Sequence, residues 1–159
     1  MAVEEMLRPL WVPSAQRRRE ARIARYMEWL REHRGLAFTD YDSLWRWSVD
    51  DLTGFWSSIM AFFHVQAEGS TDVVLARRTM PGARWFPDVK LNYGANVFRN
   101  ATPHRPALLF KSEARPQLTA VSWAELARDT AALADALRSA GVKRGDRVAA
   151  FLPNIPEAV

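Results

Sequence analysis

No cysteine occurs among the 159 residues, which excludes disulfides and thiolate metal sites and suits a reducing compartment. Histidine is almost as scarce: His33, His64 and His104 stand too far apart for a local metal motif. No apolar run approaches the roughly 20 residues that span a bilayer. No apolar h-region follows the first Met, which argues against a secretory signal. Internal repeats and low-complexity tracts are absent, and no run of glycine, serine and threonine is present to cradle a triphosphate. What is there has a globular composition, 48% hydrophobic and 25% charged, enough to build a core. The length fits one ordinary domain, or a small domain with a piece of another.

Charge and aromatics are unevenly placed. The net charge of +4 draws on eight arginines in residues 1–34, against five glutamates there. Arg17, Arg18, Arg19, Arg22 and Arg25 read as the solvated face of a helix, interrupted by Glu20, Glu28 and Glu32. A phosphate-backbone site is the alternative, but no base-reading motif accompanies the run, so no nucleic-acid partner is expected. Eight of the eighteen aromatic residues lie between Phe38 and Phe63. Such side chains bury about 150–250 Å² each. So short a segment does not cover them itself, and they are expected to dock on another surface.

The helical signals come first in the chain. Residues 14–34 read as one helix, with Ser14 as cap, Ile23, Tyr26, Met27 and Leu30 on a stripe, and Gly35 as the stop. Residues 40–47 form a shorter helix begun by Asp40 or Asp42. Ser48 is expected to cap a third, in which Leu52, Phe55, Trp56, Ile59, Met60 and Phe63 follow at helical spacing. That helix has no basic face, so core packing is preferred to a membrane surface. Val73 to Leu75 suggests a short strand, Met80-Pro81-Gly82 a turn, Arg84 to Pro87 an extended loop, and Leu91 to Arg99 a helix capped by Asn92.

A Pro-flanked break at Thr102 to Pro106 marks a boundary. Beyond it, Ala107 to Phe110 and Gln117 to Val121 suggest a β-hairpin. Ser122 and Glu125 form a capping box for an alanine-rich helix that stops at Gly141. Arg147 to Leu152 reads as a second buried strand, and Asn154 with Pro156 starts one more helix. Strand, helix, strand, helix is the order of a parallel α/β sheet. Because the chain stops at Val159 just after starting a helix, this part reads as the opening of a larger α/β domain.

Local spacing yields no catalytic constellation. Gly141 to Asp146 has two glycines and two cations, but it leaves a helix and enters a strand, the reverse of a phosphate loop. Asp50 and Asp51 are adjacent on a helix and point apart, so capping explains them better than paired catalysis. His64 ends an aromatic helix, His104 lies in a linker, and Ser57 and Ser58 lack nucleophile-elbow glycines. No catalytic, cofactor-binding or metal-binding residue is therefore assigned.

Several segments together resemble the acyl- and aryl-CoA synthetases that form adenylates, from about Leu10-Trp11-Val12-Pro13 onward. Tyr41 to Val49 with Phe55-Trp56 is similar to the family's N-terminal accessory region. Met80 to Pro87 and Leu91-Asn92-Tyr93 are similar to its Trp-Phe and Leu-Asn-Tyr segments. Val121 to Leu126, Gly141-Val142, Gly145 to Val148, Leu152 to Asn154 and Pro156 to Ala158 resemble the first motifs of the large adenylating domain. The Trp-Ser-Val and Pro-Gly-Ala-Arg-Trp-Phe stretches point to the acetoacetate-activating branch, with acetyl- and propionyl-CoA synthetases as near alternatives.

The resemblance implies an α/β fold: a helical accessory region over residues 1–105, then an incomplete AMP-binding adenylating domain over 106–159. It implies a cytoplasmic ligase using acetoacetate, ATP, Mg²⁺ and CoA, with the rest of the adenylating domain as docking surface for the aromatic belt and no membrane partner. The family's phosphate loop, acid pocket, ribose-binding aspartate and C-terminal lysine have no matching positions here, so this chain alone is expected to be inactive. A non-catalytic module that docks through its aromatic helices is the alternative.

Overall fold

Ser14 opens the first helix, its hydroxyl accepting from the Arg17 N–H at 3.2 Å. The computed structural model describes residues 11–159. Arg8, Leu10 and the segment just after the first Met, on which the reading above drew, lie outside the described residues. The chain forms two compact units that divide after Leu91.

In the first unit the expected 14–34 helix is two helices, α1 (Ala15–Glu20) and α2 (Arg22–Arg34), separated by Ala21 in extended conformation. The stripe residues Tyr26 and Leu30 hold α2 in the core, whereas α1 buries nothing and its direction is not fixed by packing. Gly35 ends α2 as expected, at φ 66°, where a β-carbon is disfavoured. Helix α3 (Tyr41–Asp50) is capped by Asp40, whose carboxylate accepts from the Ser43 N–H at 2.8 Å. That hydrogen bond holds the Asp40 carboxyl below its usual pKa.

Ser48 does not cap the next helix. It lies inside α3 and donates to the Trp45 carbonyl at 2.7 Å, a back-bond that serines in helices favour. The cap of α4 (Leu52–Phe62) is Asp51, which accepts from the Gly54 N–H at 2.8 Å. A β-carbon at position 54 would stand 2.1 Å from the Asp51 carboxylate, so a larger residue there would make the capping side chain shift.

Tyr26, Leu30 and Leu44 form the buried centre of this unit, with Trp29, Phe38, Trp47, Phe55, Ile59 and Phe62 packed against it. Much of the aromatic belt therefore docks on α2 of its own chain. Two small antiparallel pairs follow. β1 (Glu68–Gly69) pairs with β4 (Val89–Lys90), and β2 (Leu75–Arg77) pairs with β3 (Arg84–Trp85). The expected strand at 73–75 thus begins at Leu75, while Val74 is buried and its carbonyl accepts from Phe86. The loop expected at 84–87 supplies β3. Trp56 of α4 meets Trp85 edge-on, ring centroids 5.8 Å apart.

The second unit starts with α5 (Tyr93–Phe98), capped by the Asn92 side chain accepting from Ala95 at 3.1 Å. β5 (Leu108–Phe110) and β6 (Thr119–Val121) form the expected hairpin. Helix α6 (Trp123–Ser139) carries the full capping box: Ser122 accepts from the Glu125 N–H, and the Glu125 carboxylate accepts from the Ser122 N–H at 2.8 Å. That second bond lowers the Glu125 pKa. At its end Gly141 (φ 84°) donates to the Arg138 carbonyl and Val142 to Leu137, a Schellman stop.

Two expectations fail beyond Gly141. Residues 147–152 form no strand, because no ladder partner meets them among the described residues. Every strand pair described is antiparallel, so the parallel sheet expected from element order is not assembled here. The final helix amounts to one 3-10 turn, Pro156–Ala158.

Candidate functional site

The helical unit carries an apolar groove of about 280 Å³ where the first turn of α2 meets α3 and α4. Tyr26 and Leu44 form its floor, while Tyr41, Trp45 and Phe63 stand exposed along it. Arg22 is the only charged side chain among the described residues that line it. The described residues of its lining include no carboxylate or imidazole, hence no acid–base pair, and their chemistry is that of a docking surface.

Beneath it a buried polar contact ties α2 to α4. The Tyr26 hydroxyl lies 2.5 Å from Ser58 Oγ, which itself donates to the Phe55 carbonyl at 2.7 Å. Burial raises the Tyr26 pKa, an effect the Ser58 hydrogen bond partly opposes. Sequence reasoning missed this pair. The available signal was a serine on the same apolar stripe as Phe55 and Phe62, since a polar group on a buried face needs a partner.

The side chains considered for chemistry are not brought together. Asp51 is a cap and Asp50 the last residue of α3. His33 stacks on Trp29 at 5.0 Å and shares a 3.1 Å hydrogen bond with the Trp29 carbonyl. His64 takes a left-handed conformation just after α4, and the His104 N–H donates to Thr102 Oγ1. Ser57 donates to Gly54, and Ser58 is committed as described. Arg17, Arg18, Arg19, Arg22 and Arg25 are all exposed, with Arg17 over the Trp11 ring at 5.8 Å. Arg31 bonds the Glu28 carboxylate, which lowers that carboxyl's pKa, and lies 3.9 Å from Glu32. The like-charged pair is thereby bridged by a cation.

In the Gly141 to Asp146 loop, the Asp146 carboxylate accepts from the Lys143 N–H at 2.7 Å. An anion of the chain itself occupies the donor that a phosphate would need. Among the described residues, no group of three or more His, Cys, Asp or Glu side chains could hold a metal ion. No helix among them is long and apolar enough to cross a membrane.

The second unit has an open concavity of about 780 Å³ lined by Phe98, Thr102, Arg105 and Trp123. Phe98 and Trp123 meet edge-on at 6.2 Å. The buried Trp123 Nε1 finds no acceptor among the described residues.

Comparison with known proteins matches two family models in succession. One, described as acetyl-coenzyme A synthetase N-terminus, covers residues 41–97, and the other, AMP-binding enzyme, covers residues 97–159. The acetoacetyl-coenzyme A synthetase of Rhizobium meliloti is 35% identical over 96% of this chain and 23% of its own length. The acetoacetyl-CoA synthetase of Danio rerio is 32% identical over 94% of this chain and 22% of its own. The solved acetoacetyl-CoA synthetase of Streptomyces lividans superposes with a TM-score of 0.87 at 47% identity, across 95% of this chain and 24% of that one. The chain thus spans about a quarter of the length of the relatives it matches.

Proposed function

Because the chain belongs to the acyl-CoA synthetase family of AMP-binding enzymes, we propose that it is the N-terminal part of a cytoplasmic ligase that activates acetoacetate. In that reaction the acid's carboxylate attacks ATP to give an acyl-adenylate and pyrophosphate. The CoA thiol then displaces AMP. Residues 1–105 serve as the accessory region and residues 106–159 as the start of the adenylating domain. The observation that carries the reading is the 47% identity and 0.87 TM-score to the Streptomyces lividans enzyme over 95% of the chain.

This chain's own residues supply architecture in that scheme. Its acidic side chains do not gather as Mg²⁺ ligands among the described residues. The glycine-bearing cationic turn from Gly141 to Asp146 is closed on Asp146. No chemical step is assigned to them, and no catalytic, nucleotide-binding or metal-binding residue is placed in this stretch. The docking surface for the exposed part of the aromatic belt is the remainder of the adenylating domain.

Pyrophosphate exchange into ATP tests the proposal. A protein that continues this sequence to the length of its relatives is expected to catalyse exchange with acetoacetate, and residues 1–159 alone to catalyse none. A second reading, acetate as the acid, is favoured by the family description matched at 41–97. Exchange supported by acetate or propionate but not by acetoacetate would select it. Acetoacetate-dependent exchange by the 159-residue chain alone would overturn the architectural role.

A further inference from the structure

The break between α1 and α2 falls on a residue that locally favours no break. Alanine is the strongest helix former and among the weakest N-caps. No glycine or proline occurs between Ser14 and Arg34. Yet Ala21 takes φ −61° and ψ 143°, and α2 starts there with no side-chain cap. Rotating this one ψ to the helical value near −42° joins the two helices. Nothing buried in α1 opposes that rotation.

We propose that Ala21 is a two-state hinge, bent as described here and straight as one helix from Ala15 to Arg34, and that its state sets the charge at the mouth of the aromatic groove. Positions four apart on a continuous helix share a face. In the straight state Arg18 and Arg19 therefore stand one turn before Arg22 and Ile23, the α2 residues at the groove's mouth. Two more guanidinium groups then extend the wall beside Arg22. Bending takes both off that face.

The absence of cysteine permits site-specific spin labels in the full 159-residue chain, at Gln16→Cys and Glu32→Cys, both exposed positions. In a straight helix the two backbone positions lie about 24 Å apart, and the bend shortens that distance. Electron–electron double resonance is expected to give two distance populations in the parent chain. Arg22→Pro suits the first position of α2 and forces Ala21 out of the helical region. It is expected to abolish the longer population and leave the shorter. Ala21→Asp, which caps α2 and keeps Arg22, is expected to shift the balance the same way. A single distance in the parent chain, whether the one both variants share or the straight-helix one, overturns the hinge. So does a longer population that survives Arg22→Pro.

Discussion

Leu30 has no exposed surface, and Tyr26 and Leu44 close around it. Leu30→Ala removes that packing and leaves a cavity, so it is expected to destabilise the helical unit by about 2–5 kcal/mol in urea unfolding. The hydroxyl pair beside it separates two costs. Ser58→Ala strands the Tyr26 hydroxyl in a buried site, at about 1–3 kcal/mol. Tyr26→Phe leaves Ser58 still donating to Phe55 and costs about 1 kcal/mol. The double substitution is expected to cost less than the two singles together, and a double-mutant cycle that proves additive contradicts a direct bond. Acid titration reads the capping carboxylates. Asp40 and Glu125 have folded pKa values below their ordinary ones because backbone N–H groups bond their charged forms. Their stabilisation is full above the ordinary carboxylate range and is lost as pH falls through the depressed folded values. Glu125→Gln is expected to flatten the acid limb of helix α6 melting, lowering stability most at neutral pH, where the parent carboxylate is charged, and least in acid, where the parent is protonated. The capping residues were legible because a cap is a contact between neighbours. The Tyr26–Ser58 bond was not, because it joins residues 32 positions apart.

At the scale of elements, legibility followed the same division between near and far. Ser14, Asn92, and Ser122 with Glu125 start helices as read, and Gly35 and Gly141 end them, since each acts within two turns of the chain. Ser48 and Asp51 each offered a cap to the same helix. The choice fell to Asp51 because the chain turns there, with Gly54 leaving room for the carboxylate. The division of residues 14–34 at Ala21 left no trace in local preference. Residues 147–152 carry a strand's pattern, but pairing needs a partner, and Phe151 stands fully in solvent without one. Gly141→Ala tests the Schellman stop. No atom stands within 4 Å of the position a β-carbon would take, so the expected loss of about 1–2 kcal/mol is conformational alone. It should appear as fraying at the C-terminal end of α6 in residue-resolved hydrogen exchange, with its capped N-terminal turn unchanged.

The two units differ in what holds them. Every buried residue described, Tyr26, Leu30, Leu44, Ser58 and Val74, precedes the division after Leu91. In the second unit none of the described residues is buried, and Leu109, Leu118, Leu133 and Phe151 are exposed. Local bonds keep its hairpin and helix in shape: a ladder, a capping box and a Schellman stop. Local bonds alone give little resistance to opening, because most helical stability in proteins comes from burying an apolar face. Hydrogen exchange on the 159-residue chain is therefore expected to be slow in α2 and α4 and markedly faster throughout α6. In a protein extended to the length of its relatives, α6 is expected to gain protection by orders of magnitude while α2 changes little. Equal protection of α2 and α6 in the short chain would mean that the second unit stands without a core. Unchanged α6 protection in the longer protein would mean that its exposed leucines are not the face on which an adenylating domain is completed.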